Sequence, residues 1–135
     1  MTTILFAYDG SEESRRALRY AERLVAADSV IVLSVATKLI EAPATAEFTE
    51  PGHEPEHLRE ELDEVRELMG DAGVNAEFIT RIGNPAAEIL STAEARGADL
   101  IVVGRRGLHT MERFLMGSVA DRVVQHATCD VLVVK

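Results

Sequence analysis

Four stretches of this chain are near-unbroken apolar runs: Ile4-Leu5-Phe6-Ala7-Tyr8, Val30-Ile31-Val32-Leu33-Ser34-Val35, Leu100-Ile101-Val102-Val103 and Val131-Leu132-Val133-Val134. A strand with one wet face alternates apolar and polar residues, whereas a solid run belongs to a strand covered on both faces. A fifth stretch, in which Ala76, Phe78 and Thr80 alternate with Glu77, Ile79 and Arg81, suits a less fully buried strand. Helical patterns lie between these runs. Ser11 is an N-cap candidate with Glu12 and Glu13 in the first turn, and Leu18, Ala21 and Val25, widened by Ala17 and Leu24, form an apolar stripe. Leu58, Leu62, Val65 and Met69 form a second stripe, stopped between Gly70 and Gly73. Asn84-Pro85 opens a third helix that Gly97 ends, and Ser118 to His126 is a fourth. Strands alternating with helices imply an α/β fold: an open five-stranded parallel sheet with helices on both faces.

No repeat or boundary divides the chain, so residues 1–135 are expected to be one domain. Only the segment 37–57 loses periodicity. EAPATAEFTEPGHEPEH carries three prolines and five glutamates and reads as an exposed, mobile connection.

A net charge of −9 argues against nonspecific nucleic-acid binding, which needs a basic surface to neutralise phosphates. It leaves room for one bound nucleotide, because a local cluster of backbone N–H groups suffices for that. The single Cys129 cannot form an internal disulfide and reads as a structural thiol. His53, His57 and His126 show no metal-ligand spacing with Cys129 or with one another. No stretch approaches the ~20 apolar residues of a membrane span, and TTILFAYDG does not read as a signal peptide, so the expected compartment is the cytoplasm. Glu60, Glu61, Asp63, Glu64 and Glu67 read as the wet face of a helix, too unspecific for an acid/base pair.

In open α/β sheets, ligands bind beyond the carboxyl ends of the strands, where the strand order reverses. If the first strand is central with the second and fourth beside it, Asp9 and Gly104 converge on one crevice. Gly104 and Gly107 are expected to permit unusual φ and to remove Cβ atoms, letting backbone approach a ligand. Gly117-Ser118 opens a helix whose first N–H groups lack internal partners, a natural phosphate seat with the Ser118 hydroxyl as an added donor. Gly83-Asn84-Pro85 opens another helix, farther from the crevice. The loop is neither a Walker P-loop nor the Rossmann G-x-G-x-x-G, and on spacing alone ordinary turn and cap glycines remain an alternative. Arg105, Arg106 and His109 stand where they can reach phosphate, with solvated loop charges as the alternative. Phe114, Leu115 and Met116 read as packing residues that anchor the loop.

Gly104-x2-Gly107-x9-Gly117-Ser118 resembles the G-x2-G-x9-G-[S/T] motif of the universal stress protein A family. The resemblance extends through ILFAYDGSEESRRAL, IVLSV, GNPAAEIL, GADLIVVGRRG and GSVADRVVQHATCDVLVV, nearly the whole chain outside 37–57. It implies a Rossmann-like sheet of the adenine nucleotide alpha hydrolase type in the order 3-2-1-4-5. In the subfamily that keeps these glycines it also implies ATP binding. By that similarity, Ala7 and Asp9 lie beside the adenosine and Val35, after the second strand, contacts adenine. Gly104, Arg105, Gly107, Gly117, Ser118 and Val119 line the ribose and phosphate path, with any Mg²⁺ held by phosphate and water. One departure is Thr128-Cys129-Asp130, where the family often has a proline, which puts the start of the last strand in doubt.

The last strand is an edge in this order, yet Val131, Leu132, Val133 and Val134 are all apolar, and apolar edges invite pairing. A homodimer through this strand is expected, and the resemblance points the same way; an edge covered by its own helix is the alternative. The leading reading is a cytoplasmic, ATP-binding stress-response regulator whose nucleotide gates an unidentified protein partner. No nucleophile–base pair is legible, so enzymatic turnover beyond slow hydrolysis is not expected. A dimeric scaffold or chaperone-like protein that ignores nucleotide is the alternative. A nucleotide-dependent ligase or sulfur-transfer enzyme is disfavoured, because DGSEES replaces an SGGxDS-type phosphate loop.

Overall fold

The computed structural model describes residues 2–20 (of Tyr20, the backbone alone), 29–36, 63, 66–67, 76–105 and 117–135. Five strands, β1 (Thr3–Ala7), β2 (Ser29–Ala36), β3 (Ala76–Ile82), β4 (Leu100–Gly104) and β5 (Asp130–Val134), pair in the order β3-β2-β1-β4-β5. Every pairing is parallel. The sheet therefore has the order and direction that the solid apolar runs and the family resemblance imply. The helices given bounds among the described residues are α1 (Glu12–Tyr20), α2 (Pro85–Arg96) and α3 (Ser118–His126).

Alternation along β1 feeds two cores. Ile4, Phe6 and Tyr8 join Val30, Val32, Val102 and Val134 under Ala17 and Leu18 of α1. Leu5 turns the other way, with Ile31, Leu33, Ile79 and Ile101, beneath Ala86, Ile89 and Ala93 of α2 and Val123 of α3. Covering both faces is what makes a central strand uniformly apolar, and each such side chain contributes about 1.5–3 kcal/mol on burial. On the α1 face the guanidinium of Arg66, a helical residue, lies 4.9 Å from the ring centre of Phe78.

Local chemistry fixes the helix ends. Ser11 Oγ accepts from the Ser14 N–H at 3.2 Å, an N-cap bond, and Asp9 Oδ1 accepts from the Ser11 N–H at 2.9 Å. Asn84 caps α2, its side-chain oxygen accepting from the Ala87 N–H at 3.1 Å, with Pro85 in the first turn. At the other end Gly97 takes a left-handed φ of 64°, and the N–H groups of Gly97 and Ala98 close back on Glu94 and Ala93. That is a Schellman ending.

Four expectations need correction. Val35 is inside β2, whose ladder runs on through Val35↔Arg81 and Ala36↔Ile82. Gly104 closes β4 opposite Val134 and is not among the glycines with positive φ, so a left-handed backbone is not its purpose. Ile79, grouped in sequence with the outward Glu77 and Arg81, is buried. Asp130 begins β5, pairing with Leu100, so the missing proline does not displace the strand. Ala21, Leu24 and Val25 of the first stripe, the segment 37–57, all four residues of the second stripe (Leu58, Leu62, Val65 and Met69), Glu60, Glu61, Glu64, Arg106, Gly107, His109 and Phe114 to Met116 lie outside the described residues; Asp63 and Glu67 are helical and exposed.

Candidate functional site

From β1 the chain moves one way across the sheet to β2 and β3, then returns to place β4 and β5 on the other side of β1. The switch point therefore lies between the carboxyl ends of β1 and β4. Ala7, Tyr8 and Asp9 end one wall, and Gly104 and Arg105 end the other. On β2, Val35 stands two residues beyond the Ala7↔Leu33 pair, level with Asp9 on the far side of β1 from Gly104.

The amino end of α3 is tied to the same place. Gly117 N–H donates to the Arg105 carbonyl at 2.6 Å, and the Asp121 N–H donates to the Gly117 carbonyl at 2.9 Å. Gly117 is the N-cap residue, buried, with φ −70° and ψ 159°, and makes no side-chain cap bond. The acid in the first turn does not replace that cap: Asp121 Oδ2 accepts from Gln125 Nε2 at 2.9 Å, one turn farther along. The dipole and the leading amides of α3 are thus positioned at the carboxyl end of β4, with no capping side chain on Gly117.

Arg105 contributes twice. Its main chain holds α3 through the carbonyl and β5 through the amide, which donates to the Val134 carbonyl at 2.7 Å. Its side chain carries a buried Nε with no hydrogen-bond partner among the described residues. A buried guanidinium donor without an acceptor is costly to leave unpaired and is matched by a phosphate oxygen. Asp9 has one oxygen committed to the turn at Ser11, and Gly10, at φ 83°, supplies the left-handed conformation of that turn. Ser118 is exposed and Val119 half-buried.

The structure thus brings Ala7, Asp9, Gly104, Arg105, Gly117, Ser118 and Val119 to one end of two adjacent strands, with Val35 across β1. Among the described residues no group of three or more His, Cys, Asp or Glu could hold a metal ion. Sequence reasoning missed the double main-chain role of Arg105, since an amide and a carbonyl are common to every residue.

Cys129 lies far from this crevice, half-buried beside the start of β5. Burial first and the neighbouring Asp130 second push its thiol above the ordinary value, which keeps it protonated and unreactive. Among the described residues no helix is long and apolar enough to cross a membrane.

The model of the universal stress protein family matches residues 1–135. The chain belongs to that family. Universal stress protein YxiE of Bacillus subtilis is 37% identical over 145 residues, covering 98% of this chain and 97% of YxiE. Among solved structures, hypothetical protein MJ0577 superimposes with a TM-score of 0.80 at 26% identity, covering 99% of this chain and 95% of that one. A universal stress protein in complex with cAMP superimposes with a TM-score of 0.74 at 28% identity, covering 99% and 96%. This universal stress protein shares its fold with both.

Proposed function

We propose that the crevice between β1 and β4 binds an adenine nucleotide, ATP with Mg²⁺, and that the protein is a single-domain, cytoplasmic, homodimeric regulator. The observation that carries this reading is the Gly117–Arg105 bond, which sets the uncapped start of α3 at the switch point of the sheet. The relative that holds cAMP at 28% identity supports an adenine nucleotide as the guest.

The residues present fit a phosphate. The leading amides of α3 and the Ser118 hydroxyl supply donors, and Arg105 Nε supplies a buried charged one. In this reading Ala7, Asp9 and Val35 border the part of the crevice where adenosine would lie, and Gly104 and Val119 would line the ribose and phosphate path; Gly107, assigned to that path by the family resemblance, lies outside the described residues. Bound Mg²⁺ would neutralise phosphate charge, with its ligands drawn from phosphate and water.

In this reading the crevice residues bind and orient the nucleotide, and the proposed output is a change in the surface shown to a protein partner. Such a change arises from differential affinity for two states of the protein. The proposed dimer uses the outer edge of β5, the last strand of the sheet order.

Two measurements test this reading. Mass analysis of small molecules released by denaturing the purified protein is expected to find an adenine nucleotide. Calorimetric titration with ATP, AMP, cAMP and GTP, each with Mg²⁺, is expected to show heat for the adenine ligands. Absence of heat at millimolar ligand would favour a scaffold that ignores nucleotide.

A further inference from the structure

We propose that Arg105 couples the crevice to the edge strand β5, so that a phosphate-bearing ligand in the crevice and order at the end of β5 strengthen one another. The inference rests on the nucleotide reading above and adds a regulatory output to it.

The Arg105 carbonyl accepts from Gly117 at 2.6 Å, and the Arg105 amide donates to Val134 at 2.7 Å. Peptide groups are rigid planes, so only φ and ψ of Arg105 separate the two bonds. Any adjustment of that residue to a ligand at the start of α3 is felt at the end of β5.

The end of β5 is held at few points. Gly104 pairs with Val134, the Arg105 amide bonds the Val134 carbonyl, and the Lys135 carbonyl accepts from Arg16 Nη1 at 2.7 Å. The same guanidinium holds Glu12 Oε2 through Nη2 at 3.2 Å, anchoring the contact to the first turn of α1. Val134 is buried in the α1-side core, whereas Val131, Leu132 and Val133 are only half-buried. Within one protomer β5 is bonded in the sheet, among the described residues, on its β4 side alone, so its end opens locally before the whole fold does unless a second copy covers the outer edge.

The opposite edge provides an internal control. β3 also ends the sheet, but it closes on β2 through the Gly83 N–H and the Ala36 carbonyl at 2.9 Å. Among the described residues no bond joins β3 to Arg105 or to the start of α3. A ligand that steadies Arg105 therefore stabilises one edge and leaves the other alone. Linkage makes the effect reciprocal: whatever orders β5 raises affinity in the crevice by the same factor.

The test is hydrogen–deuterium exchange on the full chain at fixed protein concentration, with and without saturating Mg-ATP. Amides of residues 131–135 are expected to slow about fivefold or more, the lower end of measured site-to-site couplings, while those of 76–82 keep their rates. As an independent arm, Arg16→Ala loosens the end of β5 from outside the crevice and is expected to weaken Mg-ATP binding severalfold by calorimetry. If Mg-ATP binds but residues 131–135 exchange as before, or both edges slow equally, the coupling is refuted while the nucleotide reading stands. If calorimetry shows no binding, both fall together.

Discussion

Gly117 donates its amide to the carbonyl of Arg105 at 2.6 Å, and this contact defines the candidate site. It joins the first residue past β4 to the N-cap of α3 and places the leading amides of that helix at the carboxyl end of β4. A glycine at the N-cap matters because Ser, Thr, Asp or Asn there would offer a side-chain oxygen to those amides.

The Arg105 side chain is expected to act on ligand far more than on folding. Arg105→Ala removes the guanidinium and keeps both main-chain bonds. Hydrogen bonds to charged groups contribute about 1.5–3 kcal/mol, so the Kd for Mg-ATP should rise roughly tenfold to a hundredfold. The urea midpoint should move little. An unchanged Kd in calorimetry would remove Arg105 from the site.

The α2 cap gives the converse case. Asn84 bonds the Ala87 amide and lies on the β3 side of the sheet, away from the crevice. Asn84→Ala should cost about 1 kcal/mol of stability in urea unfolding and leave Mg-ATP affinity at the wild-type value. A loss of affinity without loss of stability would place the nucleotide elsewhere.

Cys129 predicts a component of alkaline instability. Its folded pKa is raised, so the folded state holds the thiol proton to higher pH than the unfolded chain does. The associated stability is intact below the ordinary thiol value, about 8.5, and is lost as pH rises through the folded value. Urea midpoints at about pH 8 and pH 10 should converge for Cys129→Ala relative to wild type. Equal pH dependence in the two proteins would show that the thiol does not contribute.

The proposed dimer has its own test. Val133 is a half-buried residue of the last strand in the sheet, opposite Val103. Val133→Lys should give a monomer by light scattering where the wild type gives a dimer. A dimer in both would rule out this edge as the interface.

Strand positions and helix ends were legible because their causes are local or periodic, whereas the sheet order came from the family resemblance. Solid runs such as Leu5 to Tyr8 need two covers, and Asn84 and Gly97 carry cap chemistry in their own side chain or its lack. Gly104 was misjudged because glycine permits positive φ without requiring it, and a strand end facing Val134 requires none. The second apolar run ends at Val35, and the ladder carries the strand one residue farther, to Ala36, through pairing with Ile82, some 46 positions away in sequence. Arg105 was read as a charge, whereas its amide and carbonyl tie the site together. No residue type announces a main-chain bond.

The central claim is that main-chain donors at the start of α3 hold a phosphate, and a crystal structure grown in saturating Mg-ATP tests it most directly. Phosphate oxygens within hydrogen-bonding distance of the Ser118 to Ala120 amides, with Arg105 Nε on the same group, are the result expected. A crevice filled by the protein's own side chains, or a nucleotide seated away from Gly117, would contradict it.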